Sequence, residues 1–314
     1  MLKKDKFKTV FIGTPDFACP TLKALIADEN FDIVLIVTQG DKKIGRKQVV
    51  TAPPIKVIAQ KNNIRFIQPG RIKEAKEELE KLEPDFIVVA AYGQIISGDV
   101  LDIPKYGSFN VHASLLPKYR GAAVIPAPIL NGDKETGVTI IKMDTGIDTG
   151  PILYQEKIDI KEYETAEELH DRLADLGAKI LPLALKGYVQ KELKLIEQDA
   201  REGNYIKMLK KEDGKIDWNK SAKEIERMVR ALNPWPGAYS RVKESIIKIV
   251  KAENETIKIN DYKIGEVFLH DNKLAIQCGQ DAIVINKLQL EGKKPMSGEE
   301  FLRGQNDFLG SVLE

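Results

Sequence analysis

The run FDIVLIVTQ, residues 31–39, decides the fold. It is almost continuously apolar and rich in β-branched residues, which is typical of a strand buried on both faces of a parallel sheet. Similar runs recur along the first part of the chain and alternate with stretches of helical periodicity. They are KTVFIG (8–13), DFIVVAAY (85–92), GSFNVHA (107–113) and TGVTIIKM (136–143). Up to about residue 190, the sequence therefore predicts an α/β domain with an open, mostly parallel sheet.

A long helix is predicted over Thr165–Lys186. Thr165 and Glu168 have the spacing of a capping box, in which each side chain satisfies a backbone N–H of the other residue. The apolar positions of this helix are expected to share one face and to pack on the sheet. They are Leu169, Leu173, Leu176, Ile180 and Leu183.

The rest of the chain has a different pattern. Residues 191–206 are polar and without periodicity, as expected of a linker between domains. After them come one helix, Ser221–Leu232, with a capping box of Ser221 and Glu224, and short alternating strands that predict a small antiparallel barrel or sandwich. The strands are ESIIKIVKA (244–252), GEVFLH (265–270), KLAIQC (273–278) and AIVINKLQL (282–290). We therefore expect a first domain at 1–190, a linker at 191–206 and a second domain at 207–314.

Composition argues against several classes of protein. With 43% apolar and 30% charged residues, the chain can bury a core and is neither disordered nor fibrous. No stretch approaches the roughly 20 apolar residues of a membrane helix, and KTVFIG is too short for a secretory signal. A cytoplasmic location without membrane contact is expected. Cys19 and Cys278 lie far apart without C-x-x-C spacing, so we expect neither a disulfide framework nor a metal site.

The first chemical motif is GSFNVHASLLP, residues 107–117. Residues two apart in a strand share a face, so Asn110 and His112 are expected to point to the same side. Ligand sites in an open parallel sheet lie beyond the carboxyl ends of the strands, where residues 114–121 form a loop. A core histidine bonded to a backbone carbonyl is the ordinary alternative for His112, but its pairing with Asn110 before a loop favours a site.

The second motif is MDTGIDTGPI, residues 143–152, which also follows a predicted strand. Asp-Thr-Gly triplets occur in aspartic proteases, whose two carboxylates share a proton. Those enzymes are all-β with one triplet in each lobe, whereas here two triplets lie four residues apart in an α/β pattern, which disfavours that class. Turn formation is the simple alternative for both aspartates and is sufficient for Asp144.

Together, GSFNVHASLLPKYRGAA and MDTGIDTGPI resemble the folate-dependent formyltransferases, and the whole chain resembles the methionyl-tRNA formyltransferases among them. Further matching segments are FIGTPDFA (11–18), GRKQVVTAPPIKVIA (45–59), DGKIDWNKSAKEIERMVRALNPWP (213–236) and EGKKPMSGEEF (291–301). One departure is Val124-Ile125-Pro126, where the family usually has Pro-Ile-Gln beside the amine acceptor. The resemblance implies a Rossmann-like formyltransferase fold followed by a small OB-like β-barrel that binds tRNA.

The resemblance also implies a reaction and a site. A monomeric enzyme without a metal would move the formyl group of 10-formyltetrahydrofolate to the amino group of methionyl initiator tRNA. Asn110, His112 and Asp148 match the catalytic trio: the first two would donate to an oxyanion, and Asp148 would orient the imidazole and relay a proton. Folate would contact loops at strand ends. Its predicted contacts are Ala91, Tyr92, Gly93, Gln94, Ile95, Ile96, Ser114, Leu115, Leu116, Pro117, Met143 and Asp144.

The connection QGDKKIGRKQVVTAPP, residues 39–54, is long and basic. Long structureless loops are usually functional or disordered, although a solvated charge run is the ordinary alternative. The resemblance assigns this loop to the acceptor end of tRNA, with Lys42, Lys43, Arg46 and Lys47 as contacts and Arg46 at the family's key arginine position. Further phosphate contacts are expected from lysines of the second domain, namely Lys207, Lys210, Lys211, Lys293 and Lys294.

Other functions remain open at this point. A sugar-amine or other small-amine formyltransferase, or a formyltetrahydrofolate hydrolase, could use the same trio. A nucleic-acid-binding module with idle catalytic residues is the non-enzymatic alternative. A dinucleotide-binding dehydrogenase is disfavoured because Gly13 is not followed by the rest of a G-x-G-x-x-G motif. Trp218 and Trp235 are expected to be packing residues.

Overall fold

The computed structural model describes residues 6–45, 47–199, 201–242, 245–305 and 308–314. The chain divides into two compact units, each with its own core. Unit 1 comprises Met1–Val124, Thr136–Ile158 and His170–Ile206, and unit 2 comprises Ile125–Glu135, Asp159–Leu169 and Lys207–Glu314. Residues 191–206 thus group with unit 1, and two short segments from the predicted first domain group with unit 2.

The described residues form the following elements. The strands are β1 (Phe7–Gly13), β2 (Phe31–Val37), β3 (Lys42–Ile44), β4 (Val49–Thr51), β5 (Phe66–Ile67), β6 (Phe86–Ala90), β7 (Ser108–His112), β8 (Arg120–Gly121), β9 (Glu135–Lys142), β10 (Ile152–Asp159), β11 (Tyr205–Ile206), β12 (Ala238–Val242), β13 (Ser245–Ile257), β14 (Val267–His270), β15 (Lys273–Gln277), β16 (Ala282–Leu290) and β17 (Met296–Ser297). The helices are α1 (Ala18–Ala27), α2 (Pro54–Lys61), α3 (Lys76–Leu82), α4 (Gly98–Leu101), α5 (Pro126–Asn131), α6 (Ala166–Val189), α7 (Ala222–Leu232) and α8 (Gly298–Gly304).

Unit 1 is built on a sheet whose described strands follow the order β10-β9-β7-β6-β1-β2-β5. The strands from β7 to β5 pair in parallel, and β9 pairs antiparallel with β7. Every residue of β6 is buried, as its continuous apolar run requires. The prediction of an open, mostly parallel α/β sheet is therefore confirmed.

Helix α6 packs on the face of β7 that carries Phe109 and Val111. The Phe109 ring lies 5.4 Å from the Tyr188 ring of the helix. A Cβ atom added to Gly177 would lie 2.6 Å from Cγ1 of Val111, so the helix approaches the strand where it has no side chain. The opposite face of β7, with Asn110 and His112, is left for the candidate site.

We expect Gly177→Leu to lower the free energy of unfolding by roughly 2–3 kcal/mol, because a larger side chain must displace Val111 from a packed core. Leu183→Ala on the same helix is the control, with an expected change within about 0.5 kcal/mol because Leu183 is a surface residue. Urea unfolding followed by circular dichroism measures both. Equal stabilities for wild type and Gly177→Leu would contradict this packing.

The exposed position of Leu183 corrects one sequence prediction. Leu183 is 59% exposed, whereas Leu169, Leu173 and Ile180 are buried. The buried stripe of α6 is centred on the side of Leu181 and Ala184, and Leu183 lies beyond its edge. The capping box at the helix start is confirmed, since the Thr165 N–H donates to Glu168 at 2.9 Å.

The described strands of unit 2 form an antiparallel sheet in the order β12-β13-β16-β15-β14, with β17 beside β16. Helix α7 begins with the predicted capping box of Ser221 and Glu224. Its apolar face joins the core of this sheet, together with Trp218. Trp235 is 58% exposed, so the prediction that it is a packing residue is wrong. None of the described helices is long and apolar enough to cross a membrane.

Candidate active site

Asn110 and His112 lie on the same face of β7, as the strand period requires. His112 is only 5% exposed, and Asn110 is half-buried. The side chains between and before them, Val111 and Phe109, point to helix α6. Strand pairing with β6 and β9 on both sides fixes the backbone of this pair.

The carboxylate of Asp148 faces both of these side chains. Its Oδ1 atom lies 3.5 Å from Nδ2 of Asn110 and 3.5 Å from Nδ1 of His112. Its Oδ2 atom accepts a hydrogen bond of 2.9 Å from the Gly121 N–H. A carboxylate that is distant in sequence therefore meets the amide and the imidazole of β7 at one place.

Asp148 reaches this place by a route that the sequence does not indicate. Strand β9 runs antiparallel to β7, so its last residue, Lys142, pairs with Phe109, and His112 pairs with Thr139. The loop after β9 therefore starts beside the amino-terminal end of β7, which is the end opposite to His112. The sequence predicted a loop at the end of this strand but not the direction of the strand. The chain after β9 folds back and brings Asp148 to His112.

The turn that carries Asp148 depends on its glycine and on a left-handed residue. Asp148 has φ 54°, a conformation that asparagine and aspartate adopt more readily than most residues. A Cβ atom on Gly150 would overlap the carbonyl oxygen of Lys142, so glycine is required there. Asp144 accepts hydrogen bonds from the Gly146 N–H at 3.0 Å and the Thr149 hydroxyl at 2.8 Å, which fits a turn-forming role.

The imidazole of His112 is held at both nitrogens. Nε2 lies 2.9 Å from the carbonyl oxygen of Tyr119 and donates to it, which assigns a proton to Nε2. Nδ1 then faces Asp148 as a lone pair in the neutral ring or as a second N–H in the charged ring. His112 therefore has both the bond to a backbone carbonyl that is expected of an ordinary buried histidine and the contact with Asp148.

The predicted folate contacts after β6 differ in their surroundings. Tyr92 and Ile96 are buried in a core cluster against which Met143 packs. Gln94 accepts from the Ile72 N–H at 3.1 Å and donates to the Gly70 carbonyl, so its amide braces the loop. Ile95 is 79% exposed. Ala91 and Gly93 have φ values of 46° and 79°, which mark a tight turn.

The predicted contacts after β7 are braced by strand β9. Ser114 is fully buried, and its hydroxyl donates to the Lys118 carbonyl at 2.7 Å. The Leu116 N–H donates to the Thr139 hydroxyl, which itself donates to the Ser114 carbonyl at 2.6 Å. Leu115 and Pro117 are half-buried. The sequence did not predict this role of Thr139, because a threonine in an apolar strand does not show which backbone groups its hydroxyl will bond.

The basic connection 39–54 is not structureless. Strands β3 and β4 form an antiparallel hairpin in which Lys42 pairs with Thr51. Lys42, Lys43 and Lys47 are exposed, and Arg46 lies outside the described residues. In unit 2, Lys207, Lys210, Lys211, Lys293 and Lys294 are all exposed.

The segment Val124-Ile125-Pro126 begins with a buried residue. Val124 is 7% exposed in unit 1. Pro126 is the first residue of α5 in unit 2, a position that suits proline because its missing N–H would have no partner in the helix.

Comparison with known proteins shows the family of this chain. A family model described as "Formyl transferase" matches residues 7–185, and one described as "Formyl transferase, C-terminal domain" matches residues 208–306. A methionyl-tRNA formyltransferase from Clostridium novyi is 43% identical over 98% of this chain and 100% of the relative. One from Citrifermentans bemidjiense is 43% identical over 98% of this chain and 96% of the relative.

A solved structure has the same fold at lower identity. It is the crystal structure of an N-formyltransferase from Helicobacter canadensis in complex with folinic acid and dTDP-3-aminofucose. Its TM-score is 0.67 at 23% identity, covering 89% of this chain and 98% of that one. Since two family models and full-length relatives agree, the chain belongs to the methionyl-tRNA formyltransferase family.

Proposed function

We propose that this protein transfers the formyl group of 10-formyltetrahydrofolate to the amino group of methionyl initiator tRNA, and so supports translation initiation. The observation that carries the proposal is the convergence of Asn110, His112 and Asp148, in which Asp148 Oδ1 lies 3.5 Å from both partners. The full-length similarity to methionyl-tRNA formyltransferases supports this acceptor.

The trio can carry the chemistry of formyl transfer. The amine nitrogen attacks the formyl carbon, and the carbonyl oxygen takes up negative charge in a tetrahedral intermediate. The Asn110 amide donates to that oxygen, and a protonated His112 places a positive charge beside it. As the bond between the formyl carbon and the folate N10 breaks, the proton lost by the amine passes through Asp148 to that nitrogen.

The loops after β6 and β9 each expose an apolar side chain. Ile95 is 79% exposed and Ile147 is 47% exposed, and ligand sites commonly present apolar side chains of this kind. The structure of a fold relative with folinic acid supports a folate co-substrate. We assign the folate contacts to these two loops and to residues 114–117.

We assign formyl transfer to a catalytic domain at 1–190 and tRNA binding to a domain at 207–314, joined by 191–206. The two family models, over residues 7–185 and 208–306, support these limits. The exposed lysines of the second domain supply positive charge for phosphate contacts.

The basic hairpin gives a prediction for tRNA binding. Replacing Lys42, Lys43 and Lys47 together by alanine should raise KM for methionyl-tRNA about tenfold or more and leave KM for folate nearly unchanged, because phosphate contacts dominate nucleic-acid affinity. The same change should flatten the dependence of tRNA affinity on salt. The control removes three exposed lysines elsewhere in unit 1, at positions 23, 81 and 105. Equal effects of the two triple variants would contradict the assignment.

One experiment tests the function directly. The protein is incubated with 10-formyltetrahydrofolate and either methionyl-tRNA or a nucleotide-linked amino sugar, and mass spectrometry detects which acceptor gains one formyl group. We expect formylmethionyl-tRNA. Formylated sugar would support a small-amine transferase, and release of formate without an acceptor would support a hydrolase.

A further inference from the structure

Gln198, in the segment 191–206, contacts both sides of the candidate active site. Its Nε2 group donates to the carbonyl oxygens of Asp148 and Gly150, at 2.9 and 2.7 Å. Its Oε1 atom accepts from Nε and Nη2 of Arg120, at 3.2 and 2.8 Å. Both N–H groups and the oxygen of this amide are therefore used within unit 1.

These hydrogen bonds hold the backbone from which the Asp148 carboxylate projects. Asp148 has φ 54°, and backbone conformations of this kind persist when the surrounding structure over-determines them. Gln198 holds the peptide oxygens on both sides of the turn, at residues 148 and 150. Without those bonds, the turn can relax, and the carboxylate loses its approach to Asn110 and His112.

The same segment also holds the second partner of the carboxylate. Residue Arg120, anchored by Gln198, precedes Gly121, whose N–H donates to Asp148 Oδ2 at 2.9 Å. Strand β11 pairs in parallel with β8, and the Ala122 N–H donates to the Ile206 carbonyl at 2.9 Å. The contacts form a closed ring through Gln198, Asp148, Gly121 and Arg120.

We propose that Gln198 is a positioning residue for formyl transfer, which acts by holding the Asp148 turn in its active conformation. This inference rests on the proposed function for its kinetic consequence. Gln198 does not need to touch either substrate, so its removal should lower kcat and leave both KM values nearly unchanged.

The kinetic test is a double-mutant cycle. Gln198→Ala should lower kcat about 10²-fold in the wild-type background, the loss that a displacement of roughly 1 Å produces. In an Asp148→Asn background the same change should cost less than about threefold, since residues that act as a unit are not additive. Gln198→Glu, which keeps the length but loses the donor, should match Gln198→Ala. Equal losses in both backgrounds would overturn the proposal.

The matched control is Asp199→Ala in the neighbouring residue. Asp199 accepts from the Arg201 side chain and N–H within the same segment, so its removal should change kcat by less than about twofold. Thermal unfolding of all variants identifies any loss of folded protein. If Asp199→Ala lowered kcat as much as Gln198→Ala, the whole segment would matter for turnover and Gln198 would have no particular role.

A second readout does not depend on the acceptor or on turnover. The chain contains three histidines, so the imidazole ¹H–¹⁵N signals of His112, His170 and His270 can be separated by NMR. Gln198→Ala should shift the His112 signals and leave the other two in place. Unchanged His112 signals would overturn the positioning role, even if the wild-type enzyme proved to use another acceptor.

Discussion

Asp148→Asn is expected to lower kcat for formyl transfer about 10³-fold, within the range that a positioned acid or base contributes. Asparagine tolerates the left-handed backbone of this residue, with φ 54°, so the variant removes the charge without straining the turn. Its side-chain oxygen can still accept from the Gly121 N–H. The loss would then report the carboxylate itself, which in the proposed mechanism faces the imidazole of His112 and carries the amine proton.

The control for this variant is Asp281→Asn, at an aspartate of unit 2 that has the same kind of backbone conformation, with φ 65°. It should retain kcat within about twofold because asparagine tolerates this backbone conformation and Asp281 is not one of the residues proposed to act in the reaction. Single-turnover formylation of methionyl-tRNA measures both. Near-normal turnover in Asp148→Asn would remove the carboxylate from the mechanism. His112→Ala, which removes the ring that Asp148 faces, should lower kcat by a comparable factor.

Asn110→Ala is expected to lower kcat about 10²–10³-fold, the usual cost of losing one donor to an oxyanion. An interaction made only in the transition state lowers kcat and kcat/KM together and leaves KM unchanged. The matched variant Asn110→Asp keeps the size of the side chain but replaces the donor by a carboxylate 3.5 Å from Asp148. It should be at least as slow as Asn110→Ala.

The result against this role would be a raised KM for either substrate with an unchanged kcat in Asn110→Ala. The amide would then bind the ground state, and the oxyanion would need another donor. Nε2 of His112 is already committed to the Tyr119 carbonyl at 2.9 Å, so the side of the ring that faces the site is Nδ1. The Asn110 variants therefore test whether the amide of Asn110 is a donor to the oxyanion or a ground-state contact.

Sequence patterns predicted the main elements because those depend on local periodicity. The apolar runs at 8–13, 85–92 and 107–113 each form a strand of the parallel sheet, and both capping boxes are present. The strand period placed Asn110 and His112 on one face. Short or polar elements were not predicted, such as the hairpin β3–β4, since a few exposed residues carry no clear pattern.

Helix faces were less well predicted than helix limits. Leu176 and Leu183 are both leucines of α6, but Leu176 is buried and Leu183 is exposed, because Leu183 lies beyond the edge of the buried stripe of the helix. Trp235 follows the helix in a segment with two prolines and is exposed, although an indole is an apolar side chain. Burial at these positions depends on what lies opposite them, which periodicity cannot supply.

By itself the sequence determined the fold class, the family and the identity of the three polar residues, because strand and helix patterns and the two motifs are local. Tertiary structure alone decided how they meet. Because β9 pairs antiparallel with β7, the loop that carries Asp148 starts beside the amino-terminal end of β7, and its chain folds back to bring Asp148 to His112. Gln198 joins them through backbone carbonyls, which every residue carries, so no side-chain motif could reveal that contact.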